Sequence, residues 1–156
     1  MEHEALLISC GALAKELAII QKNNDWQFMK IHCLPAELHN QPHEIPRAVE
    51  EAILINKDKF QNLFVAYGDC GTGGQLDKII KKYNVERIPG VHCYDFFCNK
   101  NVFEKIQNDE PGTFYLTDFL VKNFDQLVIK GLGLDQHPEL KEIYFNNYQR
   151  IVYLVQ

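Results

Sequence analysis

Five cysteines are the residues with the most distinctive chemistry in this chain of 156 residues. They are Cys10, Cys33, Cys70, Cys93 and Cys98. The C-x-x-C spacing is absent, which excludes the usual zinc ribbon, the thioredoxin motif and the ferredoxin cluster run. A thiol site in this sequence would therefore have to be assembled from distant segments, as catalytic sites usually are.

Four of these cysteines stand at the same position relative to the predicted strands. Cys10 and Cys33 end the first two strands, whereas Cys70 and Cys93 lie just past the third and fourth. Because ligands of an open parallel sheet bind at the carboxyl ends of its strands, we expect the four thiols to share one edge. The alternative is that each cysteine is only a small buried hydrophobic residue.

Three thiolates with an open coordination position suit Zn²⁺, and they also suit an iron–sulfur cluster with one exchangeable iron. The residue pattern leaves both metals open. His32 and His92 stand beside Cys33 and Cys93 and are further candidate ligands. Neighbouring residues of a strand point to opposite faces, so at most one of each pair can enter a shared site.

The turn "GDCGTGG" surrounds Cys70 and leads into a predicted helix. Its last four residues, Gly71, Thr72, Gly73 and Gly74, would offer backbone N–H groups at the positive end of the helix dipole. Such a turn binds anions and lowers the pKa of a thiol. The Walker sequence and the dinucleotide fingerprint are both absent, which disfavours nucleotide binding. The sequence predicts a thiolate-bearing or anion-binding turn, with a purely structural turn as the alternative.

A second polar segment, "HCLPAELHNQPHEIP", follows the second predicted strand at the same edge of the sheet. Loops in this position often carry function. His39 and Glu37 are therefore candidates for general acid–base catalysis or for an additional metal ligand. The alternative is a solvated loop that happens to contain several histidines.

The elements that would position these residues alternate between strands and helices. The predicted strands cover residues 4–10, 28–34, 63–67, 85–90 and 151–156, and the predicted helices cover residues 12–23, 46–60, 74–83, 114–129 and 137–150. Most of these strands are continuous apolar runs, which is typical of a parallel sheet covered on both faces. The sequence predicts one α/β domain over residues 1–156, with an open, mostly parallel, doubly wound sheet in a Rossmann-like three-layer arrangement. The closing strand is either the last strand of that sheet or a sign that the chain is truncated.

Composition narrows the classes of function. The formal net charge of −5 disfavours binding to nucleic acid or to an anionic membrane, because both require clustered basic residues. No apolar run approaches the ~18 residues that a membrane-spanning helix needs. The chain opens with Glu2 and Glu4, whereas a secretory signal opens with positive charge. We therefore expect a cytoplasmic protein whose cysteines are reduced.

Several segments together resemble a known family, among them "YGDCGTGGQLD", "ERIPGVHCYDFF" and "GLGLDQHPELKEIYFNNYQRIVYL". The chain is similar over essentially its whole length to the bacterial and archaeal domain of unknown function family 1638. The resemblance implies that Cys10, Cys70 and Cys93 are the shared cysteines, whereas Cys33 and Cys98 are less typical. It thereby favours a site of three thiols.

The same resemblance implies a metabolic context, since members often stand beside corrinoid-dependent methyltransferases for methylamines and betaines. A zinc-thiolate site for methyl or thiol transfer is the most concrete function that this context suggests, with an iron–sulfur centre close behind. One alternative is a metal-free module that binds a phosphorylated or carboxylated small molecule at the glycine turn. Another is an accessory protein that docks on a methyltransferase or a corrinoid protein. Family members commonly extend past the "VYL" strand. A helix missing there would leave one face of the sheet partly bare, and a partner or a second copy of this chain would cover that face.

Overall fold

The structure is a computed structural model that describes residues 4–98 and 100–156. The chain divides into two compact units, Met1–Cys93 and Tyr94–Gln156. None of the helices in the described ranges is both long and apolar enough to cross a membrane.

The first unit is built on a four-stranded parallel sheet with the strand order β2-β1-β3-β4. The strands are β1 (Ala5–Cys10), β2 (Met29–Leu34), β3 (Asn62–Ala66) and β4 (Glu86–Arg87). The chain moves from β1 to β2 on one side and then crosses to β3 on the other side. The strand order therefore reverses between β1 and β3, which is the place where open α/β sheets bind ligands.

Helices of the first unit cover both faces of β1, whose six residues are all buried. On one face, Ala5 and Leu7 pack with Leu17 of helix α1 (Ala14–Asn23). The opposite face is closed by apolar residues of α2 (Ile45–Asn56) and α3 (Gln75–Lys82), which pack against each other. Short 3₁₀ helices at Gly11–Leu13, Ala36–Asn40 and Pro42–Glu44 complete the loops at the carboxyl edge of the sheet.

The second unit contains a two-stranded parallel sheet of β5 (Thr113–Thr117) and β6 (Arg150–Leu154). Its helices are α4 (Lys100–Asp109), α5 (Asp118–Lys122), a π-helix (Asp125–Lys130) and α6 (Leu140–Phe145), and a 3₁₀ turn at Cys93–Phe96 precedes them. The aromatic ring of Tyr115 lies 5.1 Å from that of Phe103 and 5.3 Å from that of Tyr94, measured between ring centroids. The rings of Phe103 and Tyr115 are buried in this unit.

The prediction of an α/β fold with an open parallel sheet is confirmed, but the prediction for the second unit was wrong in its details. The predicted helix 114–129 begins as a strand, β5, whose first residue is Thr113. The cap of α5 is Thr117, whose hydroxyl accepts a hydrogen bond of 3.2 Å from the backbone N–H of Leu120. Helix α4 was not predicted, and the predicted helix 137–150 is limited to Leu140–Phe145.

The predicted final strand is present as β6, but it pairs with β5 and not with the four-stranded sheet. Pairing with β5 gives its backbone groups partners in a sheet that the sequence pattern did not reveal, because β5 itself had been interpreted as helical. The prediction of a single domain over residues 1–156 stays a prediction.

Candidate functional site

The candidate site lies at the carboxyl edge of the first unit's sheet, where β1 and β3 end side by side. Cys10 is the last residue of β1, and Tyr67 is the first residue after β3. Because Ser9 and Ala66 are register partners, the residues that follow them, Cys10 and Tyr67, lie side by side. Register partners in a parallel sheet point to the same face, so both side chains enter the same space. Cys10 is 7% exposed and Tyr67 is 2% exposed, so both are part of the buried end of the sheet.

Gly68 allows a distant segment of chain to lie against the end of β3. A Cβ atom at Gly68 would be 2.6 Å from the carbonyl carbon of His92 and 2.9 Å from the backbone nitrogen of Cys93. Two backbone hydrogen bonds hold the segments together, from the N–H of Asp69 to the carbonyl of Gly90 (3.0 Å) and from Cys70 to Val91 (2.9 Å). This contact places Cys93 beside Cys70 although 23 positions separate them in the sequence.

Cys70 and Cys93 form a close pair of thiols, with 2.9 Å between their Sγ atoms. Both side chains are half-buried. The hydrogen bond from Cys93 lowers the pKa of Cys70, and backbone hydrogen bonds from Cys93 and Gly68 outweigh the opposing effect of burial. The same sulfur–sulfur interaction and burial raise the pKa of Cys93. Cys70 is therefore the member of the pair that ionises first, with the Cys93 thiol as its donor.

Cys70 adopts a left-handed backbone conformation with a φ of 49°, which is uncommon for a residue with a side chain. Such a conformation persists only where the surroundings impose it, and it occurs often at functional sites. Here the backbone hydrogen bond to Val91 and the following glycine turn impose it.

The third thiol, Cys10, faces the hydroxyl group of Tyr67. Burial raises the pKa of Cys10. The Ala12 N–H, which donates to the Cys10 Sγ at 3.5 Å, and the Tyr67 hydroxyl lower this pKa by smaller amounts. The pKa of Tyr67 is also raised, first by burial and then by Cys10, Cys93 and Cys70. One buried hydroxyl group is thus within electrostatic reach of all three thiols.

The Tyr67 hydroxyl makes no well-aligned hydrogen bond with any residue that the structure describes. The Cys10 thiol is near enough to affect its pKa, but the two groups do not meet the distance and angle of a hydrogen bond. Buried polar groups nearly always have a hydrogen-bond partner, so this hydroxyl is an exception that calls for an explanation.

The glycine turn carries an internal carboxylate. Asp69 accepts hydrogen bonds from the Thr72 hydroxyl (2.6 Å), the Gly74 N–H (2.8 Å) and the Gly73 N–H (3.1 Å). Burial raises the pKa of Asp69, but these hydrogen bonds and the charge of Arg87 outweigh it, so that the pKa is lowered. The donors predicted for an external anion therefore serve the chain's own Asp69, and binding of an external anion at Gly71–Gly74 stays a prediction.

Arg87 ties the site to helix α3. Its guanidinium group donates to both carboxylate oxygens of Asp77, at 2.6 and 3.1 Å, and to the carbonyls of Gly90 (3.2 Å) and Tyr67 (3.4 Å). A fork of this geometry holds α3, the end of β3 and the segment before Cys93 in one arrangement. Arg87 is therefore a structural support of the thiol site.

The predicted histidines lie at the same edge. The rings of His39 and His92 meet edge to face with 5.8 Å between centroids, which brings the loop after β2 to the loop after β4. The side chain of His39 is accessible to solvent, and desolvation by the surrounding protein lowers its pKa. Glu37 is exposed on the same 3₁₀ helix, and within residues 4–98 and 100–156 it makes no hydrogen bond or ion pair with the thiols.

The remaining predicted residues do not join the three thiols. His32 and Cys33 are exposed on β2, and Cys33 is in register with Ser9, on the opposite face from Cys10. Cys98 belongs to the second unit, where its thiol donates to the carbonyl of Tyr94 at 3.5 Å. The structure thus places Cys10, Cys70 and Cys93 at this edge, whereas Cys33, the fourth thiol expected there, points to the opposite face of its strand. That these residues form a functional site stays a prediction.

The chemical types of these side chains suit a thiophilic metal, but their present spacing does not. Thiolates and imidazoles suit zinc and iron. Two thiolates on a tetrahedral zinc ion would be about 3.8 Å apart for Zn–S bonds of ~2.3 Å, whereas the Cys70 and Cys93 sulfurs are 2.9 Å apart. In the part of the chain that the structure describes, no three His, Cys, Asp or Glu side chains are placed to hold a metal ion. The sulfurs would have to move apart before they could bind one.

Sequence reasoning missed three residues on which this site depends, namely Tyr67, Gly68 and Arg87. The apolar run that stops at Tyr67 and the glycine directly after it were visible as the end of a strand. Their contacts with residues 90–93 depend on the crossover through β4, and no local pattern encodes them.

Comparisons with known proteins add one finding. Neither the comparison with curated proteins nor that with solved structures gives a match. The family model described as "Protein of unknown function (DUF1638)" matches residues 33–156, a range that contains Cys70 and Cys93 and begins after Cys10. The resemblance expected from the sequence is confirmed, and the chain belongs to the DUF1638 family of proteins of unknown function.

Proposed function

We propose that Cys10, Cys70 and Cys93 bind a thiophilic metal, either zinc or an iron–sulfur cluster, with His92 or His39 as a fourth ligand. The observation that supports this most is the buried Tyr67 hydroxyl, which lies within electrostatic reach of three thiols and makes no hydrogen bond with the described residues. An unsatisfied buried polar group costs about 1–3 kcal/mol. A hydroxyl retained at that cost fits a role in orienting a thiolate ligand or a bound substrate.

The chain's own residues would prepare the ligands. Metal-binding thiols must be deprotonated, and Cys70 already has a lowered pKa. Cys93 and Cys10 have raised pKa values, so they would release their protons on binding. The Tyr67 hydroxyl would then donate a hydrogen bond to a thiolate. Bound zinc would supply Lewis acidity and keep a thiolate available at neutral pH.

The family context extends this proposal to methyl or thiol transfer on a small-molecule ligand, with a methyltransferase or a corrinoid protein as partner. His39, at the solvent-accessible side of the site, is the residue that we assign as an acid–base group, and Glu37 is a second candidate. We expect the protein to act in the cytoplasm, where its thiols are predominantly reduced and disulfides form only transiently.

The test is elemental and optical analysis of protein purified without oxygen. We expect stoichiometric zinc in a colourless protein, or iron with visible absorbance. The Cys70→Ser variant should lose the metal, whereas Cys33→Ser should retain it, because Cys33 is exposed on the opposite face of the strand. A content below about 0.2 metal per chain, unchanged by Cys70→Ser, would contradict the proposal.

A metal-free binding module remains the second prediction. It requires an external phosphate or carboxylate to take the Gly73 and Gly74 donors from Asp69, which now accepts from both. A ligand-induced rise in melting temperature that survives chelators and the triple Cys→Ser change would favour this module over the metal site. Co-purification with a methyltransferase or a corrinoid protein would instead favour an accessory role.

A further inference from the structure

We propose that Cys70 and Cys93 are a redox-active dithiol that closes reversibly to a disulfide by exchange with a low-molecular-weight disulfide. This inference does not require a metal. It depends on the position of two sulfur atoms that come from separate loops at the carboxyl edge of the sheet.

The distance between the sulfurs is the first support. They are 2.9 Å apart, and a disulfide bond is about 2.05 Å long, so each sulfur would move by roughly 0.4 Å. The backbone is already held for this approach by the hydrogen bond from Cys70 to Val91 and by the contact of Gly68 with His92. By the sulfur–sulfur distance, closure needs only a small adjustment of the two side chains.

Accessibility is the second support. Cys70 and Cys93 are half-buried, so a small disulfide can reach the pair. Cys10 is 7% exposed and its sulfur accepts a hydrogen bond from Ala12, which makes it a poor competitor. Cys33 is exposed and lies on the opposite face of the sheet from Cys10, so it should stop at a mixed disulfide.

The exchange balances in two steps. A thiolate of the pair attacks a sulfur of the disulfide R–S–S–R, which forms a mixed disulfide and releases R–S⁻. The second cysteine, as its thiolate, then attacks the protein sulfur of the mixed disulfide. The Cys70–Cys93 bond forms, the mixed bond breaks, and a second R–S⁻ leaves. The two protons of the protein thiols pass to the two R–S⁻ groups, so the small disulfide is reduced and the protein dithiol is oxidised.

Oxidation would also affect the proposed metal site, because it removes two of the three thiolate ligands. The oxidised form and the metal-loaded form would then exclude each other. The thiol pair would connect metal loading to the thiol redox state around the protein, in addition to any transfer reaction at the site.

The experiment uses the full chain after removal of metal with a chelator. The protein is equilibrated with reduced and oxidised glutathione in varying ratio, free thiols are trapped with N-ethylmaleimide, and peptides are identified by mass spectrometry. We expect a peptide pair that links Cys70 to Cys93, with loss of two hydrogen atoms, and full return to the dithiol with dithiothreitol. Cys33 and Cys98 should be trapped as free thiols or as mixed disulfides.

Single substitutions sharpen the test. Cys70→Ser and Cys93→Ser should each leave a mixed disulfide on the remaining partner, whereas Cys98→Ser should not change the crosslink. Cys10→Ser separates the two proposals, because it should abolish metal binding and retain the crosslink. The proposal is overturned if Cys70 and Cys93 of the wild-type protein are both alkylated at every glutathione ratio. Crosslinks spread evenly over all five cysteines would overturn it as well.

Discussion

Replacement of Gly68 by alanine tests whether the contact between the end of β3 and residues 92–93 builds the thiol site. The added Cβ would lie 2.6 Å from the carbonyl carbon of His92, and an ordinary contact begins at 3.4 Å. The atoms in conflict belong to the backbone, so no side chain can rotate away. The segment that carries Cys93 must therefore shift by about 0.8 Å, the difference between these two distances.

Such a shift has a calculable cost. Forcing additional volume into a packed interior costs about 1–3 kcal/mol in the free energy of unfolding. The same shift could lengthen the sulfur–sulfur distance of 2.9 Å by most of an ångström. Because departures from ideal disulfide geometry store energy, we expect the Cys70–Cys93 crosslink to decrease roughly tenfold or more at a given glutathione ratio.

The assay combines urea unfolding with the crosslink measurement, and Gly73→Ala is the matched control. Gly73 has a φ of 60°, and no atom lies within 4 Å of its added Cβ. Its replacement should cost about 1–2 kcal/mol of backbone strain without displacing Cys93. Both variants should lose stability, and only Gly68→Ala should lose the crosslink. A Gly68→Ala protein within about 0.5 kcal/mol of the wild type, with an undiminished crosslink, would refute the reasoning.

Two further predictions concern the groups around the pair. Tyr67→Phe removes a buried hydroxyl that makes no hydrogen bond with the described residues, so the free energy of unfolding should rise by about 1–3 kcal/mol, while metal content falls. A loss of stability would instead reveal a hydrogen bond. Asp69 has a lowered pKa in the folded state, so its contribution to stability is complete above the unfolded value of ~3.9 and is lost as the pH falls through the folded value. Urea titrations between about pH 5 and pH 2 should therefore show a steeper loss for the wild type than for Asp69→Asn, and parallel curves would contradict this assignment.

The first unit could be predicted because its strands carry their own signal. β1 and the end of β3 are continuous apolar runs, and a parallel sheet requires such runs since both of its faces are covered. The end of each strand then places the next loop at the carboxyl edge, whatever the loop's sequence. That rule placed Cys10, Cys70 and Cys93 at one edge, but it also placed Cys33 there, because it does not say to which face of the sheet a side chain points.

The second unit was predicted wrongly because the sequence signals of its strand β5 and helix α5 run into each other. The β5 segment "TFYLT" continues into α5 without glycine or proline, so the sequence contains no local boundary between strand and helix. The strand forms because Thr113 and Tyr115 are buried on one face and because β6 supplies backbone partners from 37 positions further along the chain. A pairing over that distance is a tertiary effect, and it overrides local propensity.

The same distinction explains which site residues were missed. A cysteine can be recognised from the sequence as a reactive residue, whereas Gly68 and Arg87 act only through partners that lie elsewhere in the chain. Gly68 matters because residues 92–93 lie against it, and Arg87 matters because its fork reaches Asp77, Gly90 and the Tyr67 carbonyl. A hydroxyl at Tyr67 would be unremarkable on a surface. It becomes informative because the fold buries it within electrostatic reach of Cys10, Cys70 and Cys93, a placement that no local sequence pattern encodes.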